Sequence, residues 1–393
     1  MVETGRPALD AIVRYAGERS PHYRDLLDGV QQFEQIPPLT KPVAQANFDR
    51  ILVPGLPEER RIRGWTSGTT GQPTAYVLDA HAAPASEAAR AWLLDLAGLP
   101  GDVHIVLTLN DPPLPPDLEG WTAFRMRDTT RENLRERLAG LADLGHYILY
   151  GQAGLLEWMA AELERAGRAL PMPRPLAVVT SSDLLTAAGR PRVERAFGCP
   201  VHSWYGSRET DPSLAGTPPG EHERYLINEQ RAYVEVADEH GRPCPPGERG
   251  RVLITDLHNR CFPLLRFDVG DFAVMGERCS ERGTMLERLE GRQSAIVELP
   301  NGAQLTEVGV GFAVLRAGNA AERIDGVQCV QTGANALELR VVWKDGRDDD
   351  AVEMLRASGR RLWGEDAEIG VRDIEKLETL PSGKRWLLRG LPG

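Results

Sequence analysis

Short apolar runs and segments of helical spacing alternate through the middle of the chain. The apolar runs predict buried strands at residues 104–109, 147–150, 176–180 and 201–205. The helical spacing occurs at residues 83–97, 132–142, 155–166 and 190–197. This alternation predicts an α/β fold, with a parallel sheet that helices cover on both faces. Ligands of such sheets bind beyond the carboxyl ends of the strands, where Ser181, Ser182 and Gly206 fall.

The pattern differs at both ends of the chain. Residues 9–16 and 23–30 have helical spacing and predict an N-terminal packing arm. Alternating or β-branched segments at 231–236, 251–255 and 272–275 predict an antiparallel section. Beyond Glu290-Gly291-Arg292-Gln293, a strand pattern at 337–343 and a helix pattern at 351–362 predict a small α+β domain. We therefore expect a large domain, residues 1–290, and a small mobile domain, residues 291–393.

Composition narrows the classes of function. The chain has 393 residues, of which 41% are hydrophobic, enough for a packed core in more than one domain. A net charge of -11 argues against a nucleic-acid partner, and no apolar run has membrane-spanning length. The five cysteines are scattered and odd in number, and the N-terminus lacks a signal-peptide pattern. These features predict a cytoplasmic protein, whose oligomeric state the sequence leaves open.

Hydroxyl groups and glycines are concentrated in one segment, Trp-Thr-Ser-Gly-Thr-Thr-Gly-Gln-Pro-Thr, at residues 65–74. Gly68 and Gly71 allow a positive φ and a close approach of the backbone to a ligand. Successive N–H groups in such a loop form a concave nest for anions, and Ser67, Thr69 and Thr70 add hydroxyl donors. Phosphate is therefore the expected ligand. An ordinary polar turn is the alternative, and no Gly-Lys-Ser/Thr follows to make this a P-loop.

Further segments carry candidate chemistry. Tyr205 follows a predicted strand and can stack on a purine, and Glu209 after it can hold Mg²⁺ against phosphates. Asp271 lies at a tight turn and can accept hydrogen bonds from both ribose hydroxyls. Lys384 can neutralise charge that develops on a phosphate or a carboxylate. Taken singly, each has a structural alternative: a core tyrosine, a surface glutamate, a turn cap and a surface lysine.

These motifs occur together and in one order. On them the chain resembles the acyl-adenylate-forming superfamily, and within it the phenylacetate–CoA ligase-like branch. The matching segments are the arm at 20–23 and 37–41, the phosphate loop at 66–74, the nucleotide motifs at 179–183 and 205–209, the ribose motif at 266–271, the linker at 290–292 and the lysine loop at 382–384. The resemblance covers nearly the whole chain.

The resemblance implies an ATP site that several motifs build. The residues expected to bind the nucleotide are Thr66, Ser67, Gly68, Thr69, Gly71, Ser181, Ser182, Tyr205, Gly206, Asp271 and Arg292. Tyr205 would stack on adenine, and Asp271 would bind the ribose with Arg292 nearby. Glu209 and Thr70 would bind Mg²⁺. Lys384 would reach the α-phosphate and the attacking carboxylate, so the expected catalytic residues are Lys384, Glu209 and Thr70.

The implied reaction is ATP-dependent adenylation of a small aromatic carboxylic acid, followed by domain rotation and transfer of the acyl group to CoA. Two of the chain's departures from the family pattern concern the phosphate loop and the hinge. Gln72 replaces the usual lysine of the phosphate loop, and Gln293-Ser294-Ala295 lack the expected acidic hinge residue. Two alternatives therefore stay open. One keeps adenylation but uses an amine acceptor, as an amide ligase or a nitrite-activating diazotase does in a biosynthetic pathway; the other is a nucleotide-binding protein without catalysis.

Overall fold

The computed structural model of the chain describes most of its residues. They are 4–66, 74–109, 120–126, 129, 133–165, 174–182, 185, 189–210, 213–277, 283–292, 297–301, 303–305, 307–315, 317, 320, 323–378 and 387–391. Of the expected phosphate loop, Ser67, Gly68, Thr69, Thr70 and Gly71 lie outside this part, as does Lys384.

A mixed sheet forms the centre of the large domain. Its strands are β3 (His104–Leu109), β4 (Thr122–Arg125), β5 (Tyr147–Gln152), β6 (Val178–Ser181), β7 (Val201–Tyr205), β8 (Ala215–Gly216), β9 (Tyr225–Ile227), β10 (Ala232–Ala237), β11 (Arg249–Asp256), β12 (Phe267–Met275) and β13 (Met285–Arg292). In space they follow the order β10-β11-β12-β13-β9-β8-β7-β6-β5-β3-β4. Strands β4, β3, β5, β6 and β7 pair in parallel. The pairs from β7 to β10 are antiparallel, so the predicted α/β fold with an antiparallel section is confirmed.

Helices cover both faces of the parallel strands, because successive residues of a strand point to opposite faces. These helices are α5 (Ala83–Leu96), α6 (Leu134–Ala139), α7 (Ala153–Arg165) and α8 (Gly189–Phe197). Leu93 of α5 shares an apolar cluster with Ile148 of β5. Val193 of α8 shares the opposite cluster with Leu149, the next residue of that strand. Among the described residues, no helix combines the length and the apolar character needed to cross a membrane.

The N-terminal segment packs on the antiparallel strands as the predicted arm. Its helices are α1 (Pro7–Arg19), α2 (Pro21–Leu26), α3 (Lys41–Ala46) and α4 (Phe48–Ile51). The second helix is shorter than predicted, and the turn after it contains Gly29 at φ 78°. Leu39 pairs with Phe267 of β12: the Leu39 N–H donates to the Arg266 carbonyl and the Leu39 carbonyl accepts from Asp268, both at 3.0 Å. This pairing fixes the start of α3 on the sheet.

Arg266 joins the arm to the sheet through a fully buried guanidinium group. The group donates to both carboxylate oxygens of Glu235, at 3.1 and 3.2 Å. It also donates to the backbone carbonyls of Glu34 at 2.8 Å, Ile36 at 2.5 Å and Gly241 at 2.6 Å. Arg266 has a φ of 49°, which a non-glycine residue adopts only where its surroundings enforce it. The arm, β10 and β12 therefore meet at one side chain.

A smaller unit follows the large sheet. It contains β14 (Val297–Glu298), β15 (Gln304–Leu305), β16 (Ile324–Gly333), β17 (Ala336–Trp343), β18 (Glu368–Asp373), β19 (Leu388–Arg389), α9 (Glu307–Leu315) and α10 (Asp349–Trp363). Its main sheet has the order β18-β17-β16-β19. A separate apolar cluster begins at Val297 and includes Leu355 of α10. The large sheet itself continues to Arg292 in β13, and Leu362 packs against clusters of both units. The division at residues 290 and 291, and the mobility of the second domain, stay predictions.

The buried pair at Arg266 gives a stability prediction. Arg266→Met should lower the free energy of unfolding by about 3–5 kcal/mol, because Glu235 would remain buried without its counter-ion. Arg266→Met/Glu235→Leu should recover part of this loss, since no charge is then left unpaired. Urea unfolding measures both. Arg242→Met, which removes an exposed ion pair with Asp238, is the control and should change little. Equal losses in the single and double variants would contradict the charge-based explanation.

Candidate active site

Tyr205 and Asp271 meet at the carboxyl end of β7. The Tyr205 hydroxyl donates a hydrogen bond of 2.9 Å to Oδ2 of Asp271, although the two residues are 66 positions apart. The Tyr205 ring is buried and packs edge-on against Tyr225, with ring centroids 6.5 Å apart. Asp271 lies opposite Arg292 in the pairing of β12 with β13. The structure therefore brings together the backbones of three residues that the sequence predicts for nucleotide binding.

Glu209 lies four residues after Tyr205, and its side chain is buried. Nζ of Lys41, the first residue of α3, is 2.8 Å from Oε1 of Glu209. Oε1 has no partner in hydrogen-bond geometry among the described residues. Lys41 thus balances the charge of the buried carboxylate. Beside it, the hydroxyl groups of Ser207 and Thr210 are 3.0 Å apart and hold the segment in a turn.

Ser181 and Ser182 lie at the end of β6, the strand next to β7. Ser182 is exposed and has a φ of 70°, which places it in the left-handed region. Gly206 follows the last residue of β7. The two predicted nucleotide segments therefore leave neighbouring parallel strands at the same edge of the sheet, the edge where α/β proteins bind ligands.

A two-stranded hairpin flanks the expected phosphate loop. Strand β1 (Arg61–Thr66) pairs with β2 (Thr74–Asp79), and Thr66 lies opposite Thr74. The segment of seven residues that connects the two strands is therefore closed by the pair of Thr66 and Thr74. The Tyr76 ring covers Gly64, where a Cβ atom would come within 2.4 Å of it. A side chain at position 64 would displace this ring.

Asp79 ends the hairpin in a buried cluster of charges. Its carboxylate accepts hydrogen bonds from the Arg60 guanidinium at 2.5 and 3.1 Å and from the His81 N–H at 3.0 Å. Burial by itself raises the pKa of Asp79, but the bonds from Arg60 and His81 outweigh it and keep the pKa below its ordinary value. The carboxylate therefore stays ionised and anchors the end of β2.

The segment that contains Lys384 is fixed at both ends on β16. The Gln328 side chain forms two hydrogen bonds of 2.9 Å with the backbone of Glu378. The adjacent residue, Cys329, donates from its N–H to the Leu387 carbonyl at 2.8 Å and pairs with Leu388 of β19. Residues 379–386 thus begin and end at neighbouring positions of one strand. Where Lys384 lies relative to Tyr205 is outside the described residues.

Aromatic side chains form a cluster on the face that α5 covers. The Tyr150 ring is 5.7 Å from Trp121 and 5.4 Å from Trp204, measured between centroids. The guanidinium carbon of Arg90, on α5, is 5.6 Å from the centroid of the Trp121 ring. Tyr150 and Trp204 belong to β5 and β7, and Trp121 immediately precedes β4.

A buried polar network lies on the other face of β7. Nη2 of Arg190 donates to the Ser203 hydroxyl at 3.1 Å, and this hydroxyl is 2.9 Å from that of Thr180. Burial lowers the pKa of Arg190 and of His202, so His202 is held in its neutral form near neutral pH. The network connects β6, β7 and α8 near the end of β7, where Tyr205 lies.

Sequence reasoning missed the role of Lys41. Its only signal was its place in the arm motif, Pro-Pro-Leu-Thr-Lys, since a lysine that starts a helix is most often a surface residue. The contact depends on the pairing of Leu39 with β12, which no local pattern encodes. The structure leaves Lys384 and Thr70 outside the described residues, so their predicted roles stay predictions.

Known proteins share this architecture. No protein-family model matches the chain. Protein CapK of Staphylococcus aureus is 23% identical over 216 residues, which cover 54% of this chain and 45% of CapK, less than half of that relative. The crystal structure of 2-hydroxyisobutyryl-CoA ligase with 2-HIB-AMP and CoA in the thioesterification state superposes with a TM-score of 0.66, at 18% identity over 98% of this chain and 89% of that chain. The chain has the fold of the adenylate-forming ligases.

The likeness to this ligase extends across more than one of its conformations. Its open conformation with 2-HIB-AMP and CoA gives a TM-score of 0.61, at 18% identity over 97% of this chain and 90% of that chain. The match therefore includes the small C-terminal unit as well as the large sheet. Tyr205 ends β7, Glu209 follows it and Asp271 lies in β12; the nucleotide-binding roles that the sequence motifs predict for them stay predictions.

The bond between Tyr205 and Asp271 changes what we expect of Tyr205→Phe. Stacking alone would make this variant mild, because phenylalanine keeps the ring face. The lost bond to a carboxylate is worth about 1.5–3 kcal/mol, so ATP affinity should fall about tenfold or more. Calorimetric titration with ATP and Mg²⁺ measures this. Tyr225→Phe removes a neighbouring hydroxyl that bonds to Ser203 instead, and it should bind ATP as the wild type does. Unchanged affinity of Tyr205→Phe would show that only the ring face matters.

Proposed function

We propose that the chain is an ATP- and Mg²⁺-dependent ligase that adenylates a small aromatic carboxylic acid and releases pyrophosphate. The observation that carries this proposal is the hydrogen bond between Tyr205 and Asp271. The buried side chain of Glu209 belongs to the segment that directly follows Tyr205. An aromatic ring, a ribose-binding carboxylate and a metal-binding carboxylate at one sheet edge suit a nucleoside triphosphate. The ligase fold supports the same proposal.

In this proposal, different parts of the nucleoside bind to Tyr205, Asp271 and Arg292. The adenine stacks against Tyr205, and Ser181, Ser182 and Gly206 border its edge. Asp271 accepts hydrogen bonds from the ribose hydroxyls, with its orientation set by the Tyr205 hydroxyl. Arg292, the last residue of β13, pairs with Asp271 in the sheet, and we assign its charge to the same nucleotide.

The residues present fit Mg²⁺. Carboxylate oxygens are preferred ligands of this ion, and Glu209 offers a buried carboxylate just past β7, with the Lys41 ammonium 2.8 Å from Oε1. Glu209 and Thr70 are the proposed ligands. When bound, Mg²⁺ neutralises phosphate charge and orients the pyrophosphate as a leaving group. The N–H groups of residues 66–71 hold the same phosphates.

The proposed reaction requires two anions to meet. An oxygen of the substrate carboxylate forms a bond to the α-phosphorus, and the bond from that phosphorus to the bridging oxygen breaks. Pyrophosphate leaves with the electron pair, and an acyl-AMP remains. Lys384 provides positive charge to the carboxylate and the α-phosphate during this step. We place the acid beside the rings of Trp121, Tyr150 and Trp204, which form one aromatic cluster on the parallel strands.

The proposed acceptor is CoA, whose thiol takes the acyl group from AMP after the small domain rotates. The crystal structures of 2-hydroxyisobutyryl-CoA ligase contain CoA and an acyl-adenylate together. The hinge region of this chain, Gln293-Ser294-Ala295, favours the second candidate, in which an amine is the acceptor. Such an enzyme would make an amide, or a diazo product from nitrite and an aryl amine.

Pyrophosphate release tests the proposal. A panel of aromatic acids, and nitrite with an aryl amine, is incubated with ATP and Mg²⁺. Release that depends on the added acid supports adenylation, and ATP binding without release would indicate a non-catalytic nucleotide-binding protein. Mass spectrometry of the products, with CoA or an amine supplied, then separates the thioester from the amide.

Lys384→Ala should separate the two half-reactions. The rate of adenylate formation should fall about a hundredfold or more, as when one preorganised donor is removed. Consumption of a chemically supplied acyl-adenylate by the acceptor should fall much less, because that step needs no attack on phosphorus. Single-turnover pyrophosphate release and adenylate consumption are measured side by side.

Lys376→Ala is the control for this variant, because Lys376 is an exposed lysine of the same domain. It should leave both half-reactions unchanged. Equal losses in both half-reactions of Lys384→Ala would contradict the role assigned to Lys384.

A further inference from the structure

A buried turn, residues 256–262, contacts two parts of the candidate site. We call residues 206–210, which include Glu209, the glutamate loop, and strands β1 and β2 the phosphate hairpin. The turn begins at the end of β11 and passes Asn259, whose side chain is almost fully buried. None of its side chains belongs to the proposed ATP site. Buried polar side chains such as that of Asn259 nearly always form hydrogen bonds in folded proteins.

The first contact of the turn reaches the glutamate loop through an ion pair. Asp256 is fully buried, and Arg231 pairs with both of its carboxylate oxygens, at 2.5 and 3.2 Å. Nη2 of Arg231 also donates to the carbonyl of Thr210 at 3.3 Å. Thr210 directly follows Glu209. The carboxylate of Asp256 is thus linked through one guanidinium group to the backbone of the glutamate loop.

The second contact reaches the phosphate hairpin through Asn259. Its Nδ2 donates to the carbonyl of Val77, in β2, at 2.7 Å. Its Oδ1 accepts from the N–H groups of Cys261 and Phe262, at 3.1 and 3.0 Å. One residue on, the Arg260 N–H donates to Asp79 at the end of β2, at 3.2 Å.

The two contacts are joined within the turn. Oδ1 of Asp256 accepts hydrogen bonds from the N–H groups of His258 and Asn259, at 2.8 and 3.1 Å. A continuous set of buried bonds therefore runs from Thr210 through Arg231, Asp256 and Asn259 to Val77. Its members come from segments far apart in sequence, and they converge only in the folded chain.

We propose that Arg231, Asp256 and Asn259 are positioning residues that hold the glutamate loop at a fixed distance from the phosphate hairpin. This inference rests on the proposed function, in which Glu209 binds the metal ion and the hairpin carries the phosphate loop. A phosphate group can contact both the glutamate loop and the phosphate hairpin only if the distance between these two elements is fixed. Displacement of reacting groups by about 1 Å costs up to about a hundredfold in rate, so a link that fixes this spacing acts on the reaction without touching the substrate.

Stability alone is a weaker explanation for these residues. A buried ion pair is often no more stabilising than apolar residues of the same volume, whereas its directional bonds fix the relative position of the elements that it joins. The hairpin needs such a fixed position, because it pairs only with itself in the sheet order of the described residues.

The test replaces one atom of the link. Asn259→Asp keeps the oxygen that accepts from Cys261 and Phe262, and it replaces the donor to Val77 by an ionised oxygen that repels the carbonyl. Asn228→Asp is the matched control: Asn228 is also a buried asparagine of the large domain, and its Oδ1 accepts from the Gln230 N–H within its own turn. Amide hydrogen exchange by mass spectrometry and both half-reactions are measured for each variant.

Asn259→Asp should exchange faster than the wild type in peptides that cover residues 61–79, and Asn228→Asp should not. Pyrophosphate release by Asn259→Asp should fall about tenfold to a hundredfold. Consumption of a supplied acyl-adenylate should stay within about twofold, since no phosphate beyond the α-phosphate is then present.

Unchanged exchange in the hairpin of Asn259→Asp overturns the inference, whatever the reaction proves to be. Equal losses in the two half-reactions also overturn it, because they would indicate general destabilisation. If exchange rises but the wild type releases no pyrophosphate with any acid, the link stands and the proposed function fails.

Discussion

The candidate site depends on the buried guanidinium group of Arg266. This one group binds a carboxylate of β10, two carbonyls of the N-terminal arm and the carbonyl of Gly241. Through the arm it fixes Leu39 against β12, and so it places Lys41 beside Glu209. The backbone of Arg266 directly precedes β12, the strand that carries Asp271. The arm is thus part of the site's construction, although no residue of the arm was expected to touch a ligand.

The two buried arginine–carboxylate pairs serve geometry more than stability. Arg266 with Glu235, and Arg231 with Asp256, each remove charges from water at a cost that their mutual attraction roughly offsets. What they add is direction, because a guanidinium group offers several donors in a rigid plane. Each group contacts backbone carbonyls as well as its carboxylate. Each therefore fixes the relative position of segments that the sheet itself does not connect.

The sequence predicted β3, β5, β6 and β7, because their apolar runs are continuous and their turns carry glycine or proline; β3 and β7 were predicted to the residue. It did not predict the fifth parallel strand, β4. It also selected Tyr205, Asp271 and Arg292, which the fold brings to one edge. It did not predict the contacts of Lys41, Arg231 or Asn259. Periodicity reports which face of an element is buried, whereas a bond between distant segments depends on how the elements pack. The ends of short helices were predicted least accurately. For example, α2 ends at Leu26, before a turn that contains a glycine with positive φ.

The attachment of residues 379–386 to adjacent positions of β16 has a consequence for how this segment can change. Since Gln328 and Cys329 hold its two ends, the strands on either side keep their register whatever lies between them. Lengthening a closed loop costs little, because the closure entropy grows only with the logarithm of its length. Insertions and deletions between Glu378 and Leu387 would therefore leave the domain intact. The length of this segment is therefore a variable that evolution can adjust independently of the fold.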